Sequence, residues 1–188
     1  RDGGIKDNSP IDYFETPAYL PQNGQLYLEA MVMSFGKVYD LCPNFRAEKS
    51  KTRKHLTEFW TLNPEIAYID HEESLRIQEA CLKHMTRWVL DKGIEELAIL
   101  ERNTEELENM IALPALHYEY PDAIEELKKR GREIEYGEDY GAPHEELLTK
   151  DSDALVIVKN WPKEIKPFYM KRHGADPARV LNADVLAP

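Results

Sequence analysis

Cysteine is scarce in this chain: Cys42 and Cys81 are its two thiols, and neither lies in a CxxC. A disulfide or a zinc site is therefore not expected, and both should be free. No apolar run approaches the ~18–20 residues that a bilayer span needs. No signal-peptide pattern is visible either. A cytoplasmic protein with no membrane partner is expected. Internal repeats and low-complexity tracts are missing as well. Positive charge is in deficit: 24 Lys and Arg face 35 Asp and Glu, for a net charge of −11. That excludes a globally basic nucleic-acid coat. The cations are uneven, however, and Arg46 to His55 is locally basic, so any nucleic-acid contact should be confined there. At 188 residues the chain is one large domain or one and a half small ones, and a domain this size buries about 70% of its unfolded surface. It begins at Arg1 and stops at Ala187-Pro188 directly after a strand-like run, so both ends read as cut.

The rest is organised around Asn44 to Glu65 (NFRAEKSKTRKHLTEFWTLNPE). It reads as a strand, a basic loop and a return strand. A strand alternates sides with period two. Asn44, Arg46 and Glu48 then share one face, and Tyr39, Leu41, Phe45 and Ala47 share the other, which looks like core. On the return strand Phe59, Thr61, Asn63 and Glu65 fall together, opposite Trp60, Leu62 and Ile66. Between the strands lies KSKTRKH, with four cations and a histidine in seven residues. An antiparallel pairing would put an arginine, carboxylates and an aromatic ring on one floor beside a cationic loop. That suits a purine nucleotide polyphosphate: Arg46 as a bidentate phosphate fork, Phe59 stacked on the base, loop cations on the outer phosphates. A solvated hairpin with a charged tip is the plainer alternative.

Arg1 to Thr16 is polar and loop-like, and Ala18 to Pro21 reads as a short strand. Gln22 to Phe35 predicts a helix with Asn23 as N-cap and Gly36 as its stop. Its apolar residues cover most of the circumference, so it should be largely buried. Gln25 and Glu29 lie one turn apart and are candidate site residues. Asp70 with Glu73 marks the start of a long helix from His71 to about Asp91, with Ile77, Cys81, Met85 and Trp88 as its apolar stripe. Ile94 to Met110 continues helical and acidic. His71 and His84 have no metal-ligand spacing and read as structural. Asp122 to Arg130 and His144 to Thr149 are short helices, with a turn-rich loop between them. Ala154 to Lys159 is a central strand; Phe168 to Met170 and Val180 to Leu186 read as further strands. The fold class is α+β, a mostly antiparallel sheet flanked by helices.

NFRAEKSKTRKHLTEF resembles motif 2 of class II aminoacyl-tRNA synthetases, the pattern fRxE, loop, F. With QNGQLYLEAM, HEESLRIQEACL, YGEDYGAPHEELL and PKEIKPFYMKR followed by ADVLAP, it resembles the asparaginyl-tRNA synthetases over at least Ile11 to Pro188. The resemblance implies the central part of a class II catalytic domain over 1–188, helical over 71–112, with inserted helix and loop segments over 114–150. It implies ATP-dependent activation of asparagine, with Mg2+, and transfer to the acceptor end of tRNA(Asn), usually by a homodimer.

Residue by residue, the resemblance gives Arg46 the α-phosphate and the substrate carboxylate, which makes it the catalytic candidate. Glu48 falls near the adenine or ribose side, Phe59 under adenine, and Arg53 and His55 on the outer phosphates. Lys49, Lys51 and Lys54 would touch the acceptor end of the tRNA. Gln25 would meet the amino-acid substrate, with Glu29, Glu65, Lys166 and Tyr169 as further substrate-binding candidates. No metal ligand is expected within this piece.

Aspartate-specific relatives typically carry a lysine in the block that reads QLYLE here. Leu28 and Glu29 in that block favour a neutral amide over a second carboxylate. Asn63 departs from the acidic residue usual at its position. The glycine-rich strand and motif 3 that follow in the family, and the anticodon-binding domain and motif 1 that precede, are not in this sequence. The isolated piece is expected to be weakly active or inactive. Three alternatives stay open: an aspartyl or relaxed aspartyl/asparaginyl ligase, a non-catalytic ATP- or tRNA-binding fragment, and a paralogue that makes a free amino acid or modifies another protein.

Overall fold

The computed structural model describes residues 16–47 and 56–188. The chain divides into two compact units, Arg1–Ile69 and Asp70–Pro188.

The first unit holds helix α1 (Gln25–Phe35) and strands β1 (Lys37–Phe45) and β2 (Glu58–Ile66). Ala18 to Pro21 is irregular rather than a strand. Pro17 and Pro21 bring no backbone donor, so the segment makes no ladder; the Pro21 carbonyl accepts one bond, from Phe45 N–H at 2.9 Å. Helix α1 starts three residues later than the pattern suggests. Asn23 still caps it, its Oδ1 accepting from Gln25 N–H at 3.2 Å, while Gly24 occupies the N-cap position. Gly36 stops it in a left-handed conformation, φ 77°, with its N–H on the Val32 carbonyl. The expected all-round burial is not there. Leu28 and Val32, one turn apart, are buried, whereas Leu26, Tyr27, Met33 and Phe35 are exposed. A two-stranded sheet is wide enough to cover one stripe of a helix and no more.

Strands β1 and β2 pair antiparallel, with Val38 opposite Glu65, Asp40 opposite Asn63, Cys42 opposite Thr61 and Asn44 opposite Phe59. The alternation of faces is as expected, but the covered side of β1 is the other one. Tyr39 and Leu41 are exposed, Tyr39 to 72%, while Asn44 is fully buried. The cause is α1, which lies over the polar face: a side chain at Gly24, at its start, would run into the Asp40 carboxylate. On β2 Phe59, Thr61, Asn63 and Glu65 share that same half-buried face, and Trp60 and Leu62 face away.

The second unit begins with α2 (His71–Lys92), capped by Asp70, whose Oδ1 accepts from Glu73 N–H at 2.8 Å. Leu75 is its buried anchor; Met85 and Trp88, expected on the buried stripe, are exposed. The stretch expected to continue as one helix is two, α3 (Ile94–Ile99) and α4 (Thr104–Ala112). The break ends at Asn103, whose Oδ1 accepts from Glu105 N–H at 3.1 Å and caps α4; the Asn-Thr-Glu-Glu run is its sequence signal.

Strand β3 (Leu116–Glu119) is not foreseen in the sequence. It pairs parallel with β4 (Val156–Lys159), and β4 pairs antiparallel with β5 (Ala183–Leu186). Helices α5 (Tyr120–Lys129) and α6 (Ala142–Thr149) form the crossover that a parallel pair requires. Val156, Ile157 and Val158 are fully buried, as a central strand demands. Val180 forms a bridge with Arg172, so the last strand begins only at Ala183. Phe168 to Met170 is a turn, with Phe168 exposed to 99%. The core of this unit is aromatic at its centre: Tyr120, Trp161 and the half-buried Tyr140 sit with ring centroids 4.5–5.5 Å apart. Helices with largely antiparallel pairing make the class α+β, as expected.

Candidate functional site

The covered face of the hairpin is a polar strip. At one end Arg46 extends the ladder, its N–H donating to the Thr57 carbonyl at 2.9 Å. That holds the backbone while the side chain stays exposed, with its guanidinium carbon 5.3 Å from the centroid of the Phe59 ring. A planar cation and a ring are thus presented side by side. In the middle, Asn44 Nδ2 and Asn63 Nδ2 both donate to Thr61 Oγ1, and Asn63 Nδ2 also donates to Asp40 Oδ1 at 2.7 Å. Cys42 is tucked among them, and burial followed by the Asp40 carboxylate pushes its thiol up. It is a free thiol, as is Cys81.

At the other end Gln25 Nε2 donates to Glu29 Oε1 at 3.1 Å. Glu65 is close enough to Glu29 to feel its charge. Burial first, and then that charge, raises the Glu65 carboxyl. A cation–ring end and a carboxylate–amide end therefore lie on one strip.

In the second unit Lys166 is held among acceptors. Its Nζ is 3.1 Å from Asp184 Oδ2, 3.9 Å from Asp139 Oδ1 and 3.7 Å from the centroid of the Trp161 ring. Tyr169 is exposed and meets Phe168 edge-on. Among the described residues no group of three or more His, Cys, Asp or Glu could hold a metal ion. Among the described residues no helix is long and apolar enough to cross a membrane.

The family of class II tRNA synthetases (D, K and N) matches residues 5–188. The chain belongs to the class II tRNA synthetases. This synthetase chain is 48% identical to the asparagine–tRNA ligase of Streptococcus pneumoniae (strain D39), over its own whole length and 47% of that relative. It superposes on asparaginyl-tRNA synthetase from Pyrococcus horikoshii complexed with asparaginyl-adenylate with a TM-score of 0.87 and 40% identity, covering 95% of this chain and 41% of that one. Against the aspartyl-tRNA synthetase of Entamoeba histolytica the TM-score is 0.77 at 32% identity, covering 92% and 37%. The class II chain thus spans about half the length of the curated relatives it matches.

Among the sequence candidates, Arg46 and Phe59 come together at one end of the strip and Gln25, Glu29 and Glu65 at the other. Lys166 and Tyr169 belong to the second unit. Glu48, Lys49, Lys51, Arg53, Lys54 and His55 lie outside the described residues. Sequence reasoning missed Asp40. Running the pairing back from Phe59 opposite Asn44 would have placed it across from Asn63.

The raised Glu65 carboxyl carries a prediction. An ionised Glu65 costs the folded state, so its penalty is absent below the ordinary carboxylate range and grows as pH rises through the raised value. Glu65→Gln should therefore raise Tm at pH 7 and leave it near the parent's at pH 4. Thermal melts at the two pH values check this, and an equal shift at both would sink it.

Proposed function

We propose that this chain is part of an enzyme that activates asparagine with ATP and transfers it to the acceptor end of tRNA(Asn). The observation that carries the reading is the strip itself: the Arg46 guanidinium beside the Phe59 ring at one end, the Gln25, Glu29 and Glu65 groups at the other. Activation joins the two substrates whose chemistries those ends match. The amino-acid carboxylate attacks the α-phosphorus in line; its O–P bond forms as the bond to pyrophosphate breaks. Such a step needs positioning and charge neutralisation more than a dedicated base. Arg46 would grip the α-phosphate and the attacking carboxylate, and Phe59 would stack on the adenine. The tRNA 3′ hydroxyl then displaces AMP from the adenylate. The loop cations Lys49, Lys51 and Lys54 are the candidates for the acceptor end, with Arg53 and His55 on the outer phosphates and Glu48 on the adenine side.

The amino-acid end favours asparagine. Leu28 is buried, and Glu29 and Glu65 supply negative charge that a ligand ammonium or amide N–H welcomes and a second carboxylate does not. Lys166 and Tyr169 are further candidates for the substrate. Mg2+ is proposed as the ion that accompanies the ATP. A homodimer is proposed for the full-length enzyme.

The test is ATP–pyrophosphate exchange by the full-length gene product with each amino acid in turn, followed by tRNA charging. Asparagine-dependent exchange is expected; exchange driven equally by aspartate would replace the reading with a relaxed or aspartyl ligase. Phe59→Ala should raise the KM for ATP about tenfold, in line with one lost base–ring stack, with a smaller effect on the KM for asparagine. An unchanged KM for ATP would remove the ring from beneath the base.

A further inference from the structure

Asn63 sits in the middle of the strip, directly across from Asp40. Its side-chain amide can offer a ligand either an N–H donor or an acceptor oxygen. Two neighbours decide which. Its Nδ2 is 2.7 Å from Asp40 Oδ1 and 3.0 Å from Thr61 Oγ1. An ionised carboxylate only accepts, so the amide nitrogen must be the atom on that side. Both amide protons are thereby engaged, and among the described residues no hydrogen bond uses Asn63 Oδ1. The Asp40 carboxylate lies close against Gly24, in the space that a side chain at that position would need.

We propose that Asp40 is a positioning residue. It locks the Asn63 amide so that the carbonyl oxygen is the group left open to the ligand, a neutral acceptor for an N–H of the amino acid. Asp40 acts through Asn63 and does not itself touch the ligand. The device gives the strip a neutral acceptor at the position facing Asp40, where another carboxylate would meet the charge already there. It rests on the reading of this chain as part of an asparagine-activating enzyme.

The experiment is asparagine-dependent ATP–pyrophosphate exchange by the full-length gene product, with thermal melts of every variant. Asp40→Ala frees the amide to turn and should raise the KM for asparagine about tenfold, with kcat within about twofold, because ground state and transition state lose the same contact. Asp40→Asn keeps an acceptor oxygen for Asn63 Nδ2 and should stay within about threefold of the parent. Adding Asp40→Ala to Asn63→Ala should make that variant no worse. A parent-like KM in Asp40→Ala overturns the proposal. So does an Asp40→Asn variant as impaired as Asp40→Ala, which would mark charge rather than locking, and so do additive effects in the double variant.

Where Asp40→Ala does not melt cooperatively, Asn63→Asp takes its place. Two facing carboxylates must then share a proton, so the KM should climb as pH rises, and adding Asp40→Asn should remove that slope. A flat pH profile in Asn63→Asp overturns the proposal. A parent that exchanges with another amino acid but not with asparagine overturns the substrate reading, and the lock is then read on that amino acid's KM. A parent that exchanges with none overturns both.

Discussion

Arg46→Ala is expected to lower asparagine-dependent pyrophosphate exchange by about 10³-fold, the upper range for removing one preorganised donor from a transition state, while the protein still folds. The second half of that expectation follows from how Arg46 is built in. Its structural contribution is a backbone hydrogen bond to Thr57, which alanine keeps. Its side chain is exposed and rests against the Phe59 ring, a contact that adds about 0.5–1 kcal/mol at such a site. So the cost to stability should be small and the cost to chemistry large. Arg46→Lys sharpens the test, because an ammonium keeps the charge but not the two-pronged grip. It should recover only part of the activity. Exchange near the parent level in Arg46→Ala, with a parent-like melt, would remove the arginine from the α-phosphate.

The largest stability effect is expected at Trp161. It is 1% exposed, packs on Tyr120 and Tyr140, and its Nε1 donates to the Val158 carbonyl at 3.0 Å. Trp161→Ala should cost about 3–5 kcal/mol, from lost transfer energy and the cavity left behind. A domain commonly has about 5–15 kcal/mol in total, so the second unit should sit near its unfolding threshold. Trp161→Phe fills most of the cavity and forgoes the hydrogen bond, and should cost distinctly less. Urea denaturation of the two variants against the parent measures both. A loss under ~1 kcal/mol in Trp161→Ala would mean the site collapses around the gap far better than buried aromatic sites usually do. The same ring lies under Lys166, so activity in Trp161→Phe would also report on whether that lysine's placement matters.

Local signals carried much of the fold. Asp70 with Glu73 and Gly36 marked helix ends to within a residue, because capping is decided by neighbours in sequence. The pairing of β1 with β2 and the shared face of Phe59, Thr61, Asn63 and Glu65 followed from period-two alternation. What alternation cannot supply is which face a third element will cover. Tyr39 and Leu41 looked like core from their apolarity, yet α1 settled on the polar face because Gly24 leaves room for Asp40 there. Strand β3 was illegible for a related reason. Four residues, Leu116 to Glu119, acquire strand character only from β4, forty positions later. At the candidate site, the nearness of Arg46 and Phe59 was readable because period-two alternation puts both on the polar face. The contact of Asp40 with Asn63 was not, since it depends on the register across the ladder.

The crossover between β3 and β4 has one more implication, for chain length. Joining Leu116 to Val156 closes a loop roughly three times longer than the one from Phe45 to Glu58 in the β1–β2 hairpin. Loop-closure entropy grows only with the logarithm of length, so the longer connection costs about 1 kcal/mol more. The aromatic cluster of Tyr120, Tyr140 and Trp161, to which α5 and the loop before α6 contribute, exceeds that cost by itself. The segment between the two strands is therefore inexpensive to lengthen or shorten, provided Tyr120 and Tyr140 still reach Trp161. Substitution and length change should be tolerated very differently within a few residues of each other.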